Sequence, residues 1–212
     1  MARPIGDRGD RGISSTRHVA HQPDARWNSP NRIALYGRTI LCEWLLLALV
    51  LFGVWRNGSS FYDVLGERWR SGKIVVRDAG IAAAFLIVSI LVTSIIGGHG
   101  AAANRSIQFL LPRSGTENAF CLVLSMTAGI CEAVYRGYLQ KQFMAFTGSI
   151  PVGIVLSALI FGGSHLYQGF ARAAVIGLMA VLGGILAPWC RSVRPGMIAH
   201  FMQDVLGGYL QH

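Results

Sequence analysis

The chain has 212 residues, 52% of them hydrophobic and 14% charged, with a formal net charge of +9 and a mean hydropathy of +0.45. Soluble domains carry about 25% charged residues, so this composition excludes a chain wrapped in water throughout. The charge is also uneven, because residues 1 to 32 are polar and rich in Arg, Gly, Asp and Pro while nearly every later stretch is apolar.

Residues 1–32 predict a flexible polar tail, since they lack the apolar surface needed to fold alone. They do not read as a secretory signal, for no apolar stretch with a small-residue cleavage site follows the first basic residues. Six arginines (Arg3, Arg8, Arg11, Arg17, Arg26 and Arg32) would suit nucleic acid, but aspartates are interleaved and no recognition helix or aromatic platform follows. No nucleic-acid partner is expected, and the tail reads as a solvated segment that keeps the N-terminus cytoplasmic. Cys42, Cys121, Cys131 and Cys190 lack CxxC spacing, which argues against a zinc ribbon or a disulfide framework.

A bilayer core of about 30 Å needs roughly 20 apolar residues per helix. By that rule residues 33–110 hold the N-terminal spans: one from Ile33 or Thr39 to Trp55, another from Ala79 to about Gly97. Arg56 to Asp78, basic with Phe61, Tyr62 and Trp69 interleaved, reads as an interfacial connection. GGHG and the stretch to Pro112 read as a loop or short helix, with His99 a loop residue. Residues 111–212 form a second unit. Ser114 and Glu117 have capping-box spacing and predict a long helix to about Phe146. Apolar segments follow at Ile150 to Leu166, Phe170 to Trp189 and Pro195 to Leu210. The expected fold is all-α, a polytopic transmembrane bundle of about six helices in contact with lipid. Small residues four apart (Ser125 and Gly129, Ala158 and Gly162, Ala173 and Gly177, Ala180 and Gly184) predict close helix packing.

Ionisable groups at the centre of a span cost roughly 2.5–3.5 kcal/mol on insertion scales, so they need partners or a purpose. Three helices of the C-terminal half carry polar residues at helical spacing: Glu132 with Arg136, Phe161 with His165, and His200 with Asp204. Residues four apart share a face. Singly, each set reads equally well as structure: an ion pair, a histidine on a backbone carbonyl, a polar clamp. Three on successive polar-bearing helices point instead to a shared interior site.

The runs CEAVYRGYLQKQF (Cys131 to Phe143), FGGSH (Phe161 to His165) and HFMQD (His200 to Asp204) resemble, in order, the three motifs of the CPBP or ABI family, the CAAX proteases and bacteriocin-processing enzymes. The family patterns are Glu-Glu-x-x-x-Arg, Phe-x-x-x-His and His-x-x-x-Asn/Asp, and the likeness covers about Leu111 to Leu210. It implies a membrane-embedded, metalloprotease-like hydrolase. In such a site His165 and the first motif glutamate activate water, and His200 and Asp204 stand on the oxyanion side. Here Cys131 occupies the first-glutamate position and Glu132 the second. A one-residue deletion would instead make Glu132 the first, but it would rotate later side chains by about 100°, so replacement by Cys131 is the more economical account.

Peptide hydrolysis requires a base for water and donors for the oxyanion. An ionised Asp204 would repel that oxyanion, so it is either protonated or serves to orient His200. Burial and Arg136 pull the ionisation of Glu132 in opposite directions, and an apolar helix is a poor setting for a Cys131 thiolate. Glu132, His165 and His200 offer ligand atoms that zinc accepts, but no His-Glu-x-x-His motif is present; a divalent metal stays open. The leading expectation is an intramembrane endopeptidase acting on a membrane-proximal peptide or protein. The alternatives are a catalytically impaired relative serving as a membrane binding or immunity protein, and, with less support, a small proton-coupled transporter.

Overall fold

The computed structural model describes residues 31–96 and 111–209. The expected tail falls almost wholly outside these residues, and so do the GGHG segment, His99 and the last three residues. Among the described residues there are seven helices and no strand. They are α1 (Arg32–Arg56), α2 (Phe61–Leu65), α3 (Gly72–Ile96), α4 (Gly115–Thr147), α5 (Ile150–Gly163), α6 (Phe170–Cys190) and α7 (Arg194–Tyr209). Six are long, as the hydropathy pattern predicts, and α2 is a single short turn of chain between two of them.

Four helices, α1, α3, α4 and α6, are long and apolar enough to cross a bilayer, while α5 is a shorter apolar helix. The protein is an integral membrane protein. Its outer surface carries Leu45, Leu49 and Phe52 on α1 and Ile87, Leu91 and Ile95 on α3, all exposed. In lipid such a surface costs nothing, because the surroundings are as apolar as the side chains.

One boundary and one cap differ from expectation. Helix α3 begins at Gly72 rather than Ala79, and so takes in Lys73, Arg77 and Asp78. The charges that hid this start are accommodated locally: Asp78, fully buried, accepts from Trp69 Nε1 at 2.8 Å and pairs with Arg77 at 2.8 Å. Residues Gly72–Asp78 of the expected connection thus belong to α3. At the start of α4, Ser114 Oγ does accept from the Glu117 backbone N–H at 3.2 Å, but the Glu117 carboxylate accepts from Arg113 N–H at 2.6 Å rather than from Ser114. The reciprocal capping box sits instead on α2, between Ser60 and Asp63.

Close packing follows the small residues. A methyl placed on Gly162 of α5 would stand 2.9 Å from the Gly177 Cα of α6, so these backbones touch where the sequence alternates Ala and Gly. On the other side α7 lies against α4 and α3, with Gly129 opposite Met197. Helix α1 packs on α4.

The middle of α4 changes pitch, for Ala133–Leu139 form a π-helical segment. This wider turn lies inside the first motif, and π turns in α-helices recur at functional sites. Gly137 within it meets the carbonyl oxygen of Val64 on α2, which an added methyl would approach to 2.5 Å. A backbone oxygen cannot move aside as a side chain can. Gly137→Ala should therefore destabilise the bundle by about 1–3 kcal/mol, visible as a lower thermal midpoint in detergent; an unchanged midpoint would show that α2 is free to shift.

Between α2 and α3 the chain is pinned to the start of α7. Gly66 forms an isolated antiparallel bridge with Ser192, and Val193 N–H and Ser192 Oγ both donate to Leu65 O at 3.2 Å or less. Arg194 donates to the carbonyls of Gly66 and Glu67 and lies over the Trp69 ring. Gly66 is at φ 90°, and an added Cβ would also strike Arg191 O, so only glycine fits.

Candidate active site

The three polar pairs converge. Glu132 Oε1 lies 3.1 Å from Arg136 Nη1 and 3.2 Å from His200 Nδ1, which joins α4 to α7 through one carboxylate oxygen. The Arg136 contact is ionic rather than an aligned hydrogen bond. Both partners are almost fully buried, at 4% and 7% exposed side chain. Gly196 makes the approach of α7 feasible: a methyl there would stand 3.0 Å from Glu132 Oε2.

Phe161 of α5 is the hub. Its ring lies under the Arg136 guanidinium, 4.3 Å from Cζ to centroid, and against His165 at 4.8 Å, Tyr135 at 5.0 Å and His200 at 5.9 Å. One aromatic ring thus brings together residues of all three motifs. The desolvated face of the ring favours the cation above it.

His165 follows the end of α5, where helical carbonyls lose their partners. Its Nδ1 lies 2.8 Å from Phe161 O and 3.2 Å from Ser164 Oγ. A carbonyl oxygen only accepts, so Nδ1 carries the hydrogen and Nε2 keeps its lone pair. The backbone hydrogen bond therefore presets this histidine as an acceptor. On α7, His200 Nδ1 faces the Glu132 carboxylate and so donates to it, while Nε2 points toward Asp204 Oδ1 at 4.0 Å, too long for a hydrogen bond.

Glu43 of α1 is a polar residue in the middle of the first span that the motif reading missed. Its Oε2 accepts from Thr127 Oγ1 at 2.5 Å and its Oε1 from Cys131 Sγ at 3.5 Å. The signal was present, because a single carboxylate inside LCEWLLLALV carries the same insertion cost as Glu132. A crevice of about 10 Å³ lies at this contact, lined by Glu43, Leu46, Ile130, Cys131, Val134 and Tyr135.

The set Glu132, His165 and His200 does not fit a metal ion. Among the described residues no three His, Cys, Asp or Glu side chains are grouped to hold one. The Glu132 oxygen that meets His200 is already against a guanidinium, which would repel a second cation there.

Taken together, these helices form a membrane-embedded bundle whose buried polar centre is built from a Glu–Arg pair and two histidines on separate helices. Residues 114–206 match the family model described as Rce1-like, type II CAAX prenyl endopeptidase. The match falls on the stretch that carries the three motifs and agrees with the resemblance they show. Comparison with curated proteins and with solved structures gives no match.

Proposed function

We propose that this protein is an intramembrane endopeptidase that hydrolyses a peptide bond close to the membrane surface, near the C-terminus of a CAAX-type substrate. The observation that supports it most is the meeting of His165, His200, Glu132 and Arg136 around Phe161, inside a bundle whose outside is apolar.

The chemistry falls to the residues as follows. His165 Nε2 accepts a hydrogen from the attacking water and aims its oxygen at the scissile carbonyl. His200, with Nδ1–H given to Glu132, donates from a protonated Nε2 to the oxyanion, and the ring's charge is matched by Glu132 and Asp204. Asp204 acts through His200 rather than on the oxyanion. Arg136 and Phe161 hold Glu132 and both rings in place. The Arg-rich N-terminal segment is placed on the cytoplasmic side, by the bias of basic loops to that face.

The test is a cleavage assay with purified protein in lipid vesicles, using peptides ending in a prenylated CAAX sequence and the same peptides without the prenyl group. Cleavage of either set, located by mass spectrometry, supports the reading, and a preference between them names the substrate class. A folded preparation that cuts neither peptide set, nor a broad library of membrane-proximal peptides, would favour the second reading, a catalytically impaired membrane-binding relative. That reading draws on Cys131 standing in place of the motif glutamate.

A further inference from the structure

Of the four spanning helices, α1 buries the smallest share of its apolar window inside the bundle, 6%. It nevertheless carries one carboxylate, and that group faces inward rather than outward. Glu43 meets Thr127 and Cys131, two residues four apart on one face of α4. Cys131 is the position at which the motif lacks its first glutamate. A carboxylate supplied by a different helix thus lies against the side chain that stands where the motif carboxylate is missing.

Three further observations connect this contact to the rest of the site. The crevice beside Glu43 and Cys131, about 10 Å³, is the size that admits a single water. Tyr135 lines it and packs edge-on against Phe161, which in turn touches His165, so two ring contacts link the crevice to the histidine. Glu43 is also within electrostatic reach of His200 and Asp204.

We propose that Glu43 is the catalytic carboxylate of this protein, taking over from α1 the role of the glutamate absent at position 131. The inference rests on the endopeptidase reading above. Glu43 removes one proton from the attacking water that His165 aims, and the water oxygen forms a bond to the scissile carbonyl carbon while the carbonyl electron pair moves onto its oxygen. When the tetrahedral intermediate collapses, the C–N bond breaks and the departing amine takes the proton back from Glu43. One water is consumed, one carboxyl and one amine are formed, and nothing is oxidised. Thr127 holds the carboxylate in place through its hydroxyl hydrogen.

The experiment compares five proteins in vesicles with the same cleavable peptide: unaltered, His165→Ala, Glu43→Gln, Cys131→Glu and Glu43→Gln/Cys131→Glu, each first shown to be helical and cooperatively folded. Glutamine is isosteric and still accepts from Thr127, so Glu43→Gln should fold. It should lower kcat about 100-fold or more with KM nearly unchanged. The double variant returns a carboxylate from the α4 side and should regain at least about tenfold of the lost rate. Cys131→Glu alone should bring no gain, because two carboxylates would crowd one space. Full activity of Glu43→Gln beside an inactive His165→Ala overturns the role of Glu43 and leaves the endopeptidase reading standing. A folded double variant as slow as Glu43→Gln overturns the replacement of the motif glutamate. If the unaltered protein cuts nothing, or His165→Ala cuts at the full rate, the endopeptidase reading falls and the assignment of Glu43 falls with it.

Discussion

Glu132→Ala should unfold the bundle more readily than any other single change at the site, by about 3–5 kcal/mol, because it leaves the Arg136 guanidinium buried with no carboxylate beside it. The magnitude follows from asymmetry. A buried ion pair adds little over apolar residues of the same size, but half of one is expensive. Two companion variants make the cause legible. Glu132→Gln keeps acceptors for His200 and Arg136 and should cost less than Glu132→Ala. Glu132→Gln combined with Arg136→Met removes both charges and should recover much of the loss, which a double-mutant cycle of thermal or denaturant unfolding reads directly. If Glu132→Ala shifts stability by less than about 1 kcal/mol, the pair is not carrying buried charge.

The second large effect is on rate. His165→Ala removes the acceptor that aims the water and His200→Ala removes the oxyanion donor, and each should lower peptide cleavage about 100-fold or more. Neither should unfold the protein. With His200 gone, Glu132 still has Arg136, and with His165 gone the Phe161 carbonyl is left at a helix end, where water or Ser164, which already donates to it, can serve it. Loss of cleavage in variants that melt like the unaltered protein would place both rings in the chemistry. Full cleavage by both would remove them from it.

What the sequence revealed of this site, and what it hid, divides along physical lines. Glu132, Arg136, His165 and His200 were legible because ionisable residues in apolar helices are costly and their spacing fixes a shared face. The role of Phe161 as the hub was not, since one more aromatic residue among many carries no sign of what lies above or beside it. Spacing within a helix also says nothing about which helices meet, so the contact of Glu43 with Cys131 required the packing of α1 on α4. The π segment at Ala133–Leu139 left no trace either, because in a helix apolar on most sides a wider turn barely alters the hydropathy pattern. The early start of α3 was obscured by Lys73, Arg77 and Asp78, which look like a water-exposed connection until Trp69 and Arg77 are seen to satisfy the aspartate. The small-residue pattern, by contrast, translated directly into contact: Gly162 and Gly177 meet where spacing placed them.

The partnership of Glu43 with Thr127 also sets an order of events during synthesis. The two residues are 84 positions apart, so at roughly 5–20 residues per second a ribosome needs on the order of 4–17 s to deliver the second after the first. Through that interval α1 must hold a carboxylate in or near the bilayer with neither Thr127 nor Cys131 yet made. A helix in that condition is not finished when it leaves the translocon: it waits, protonated or drawn toward the interface, until α4 arrives to receive it.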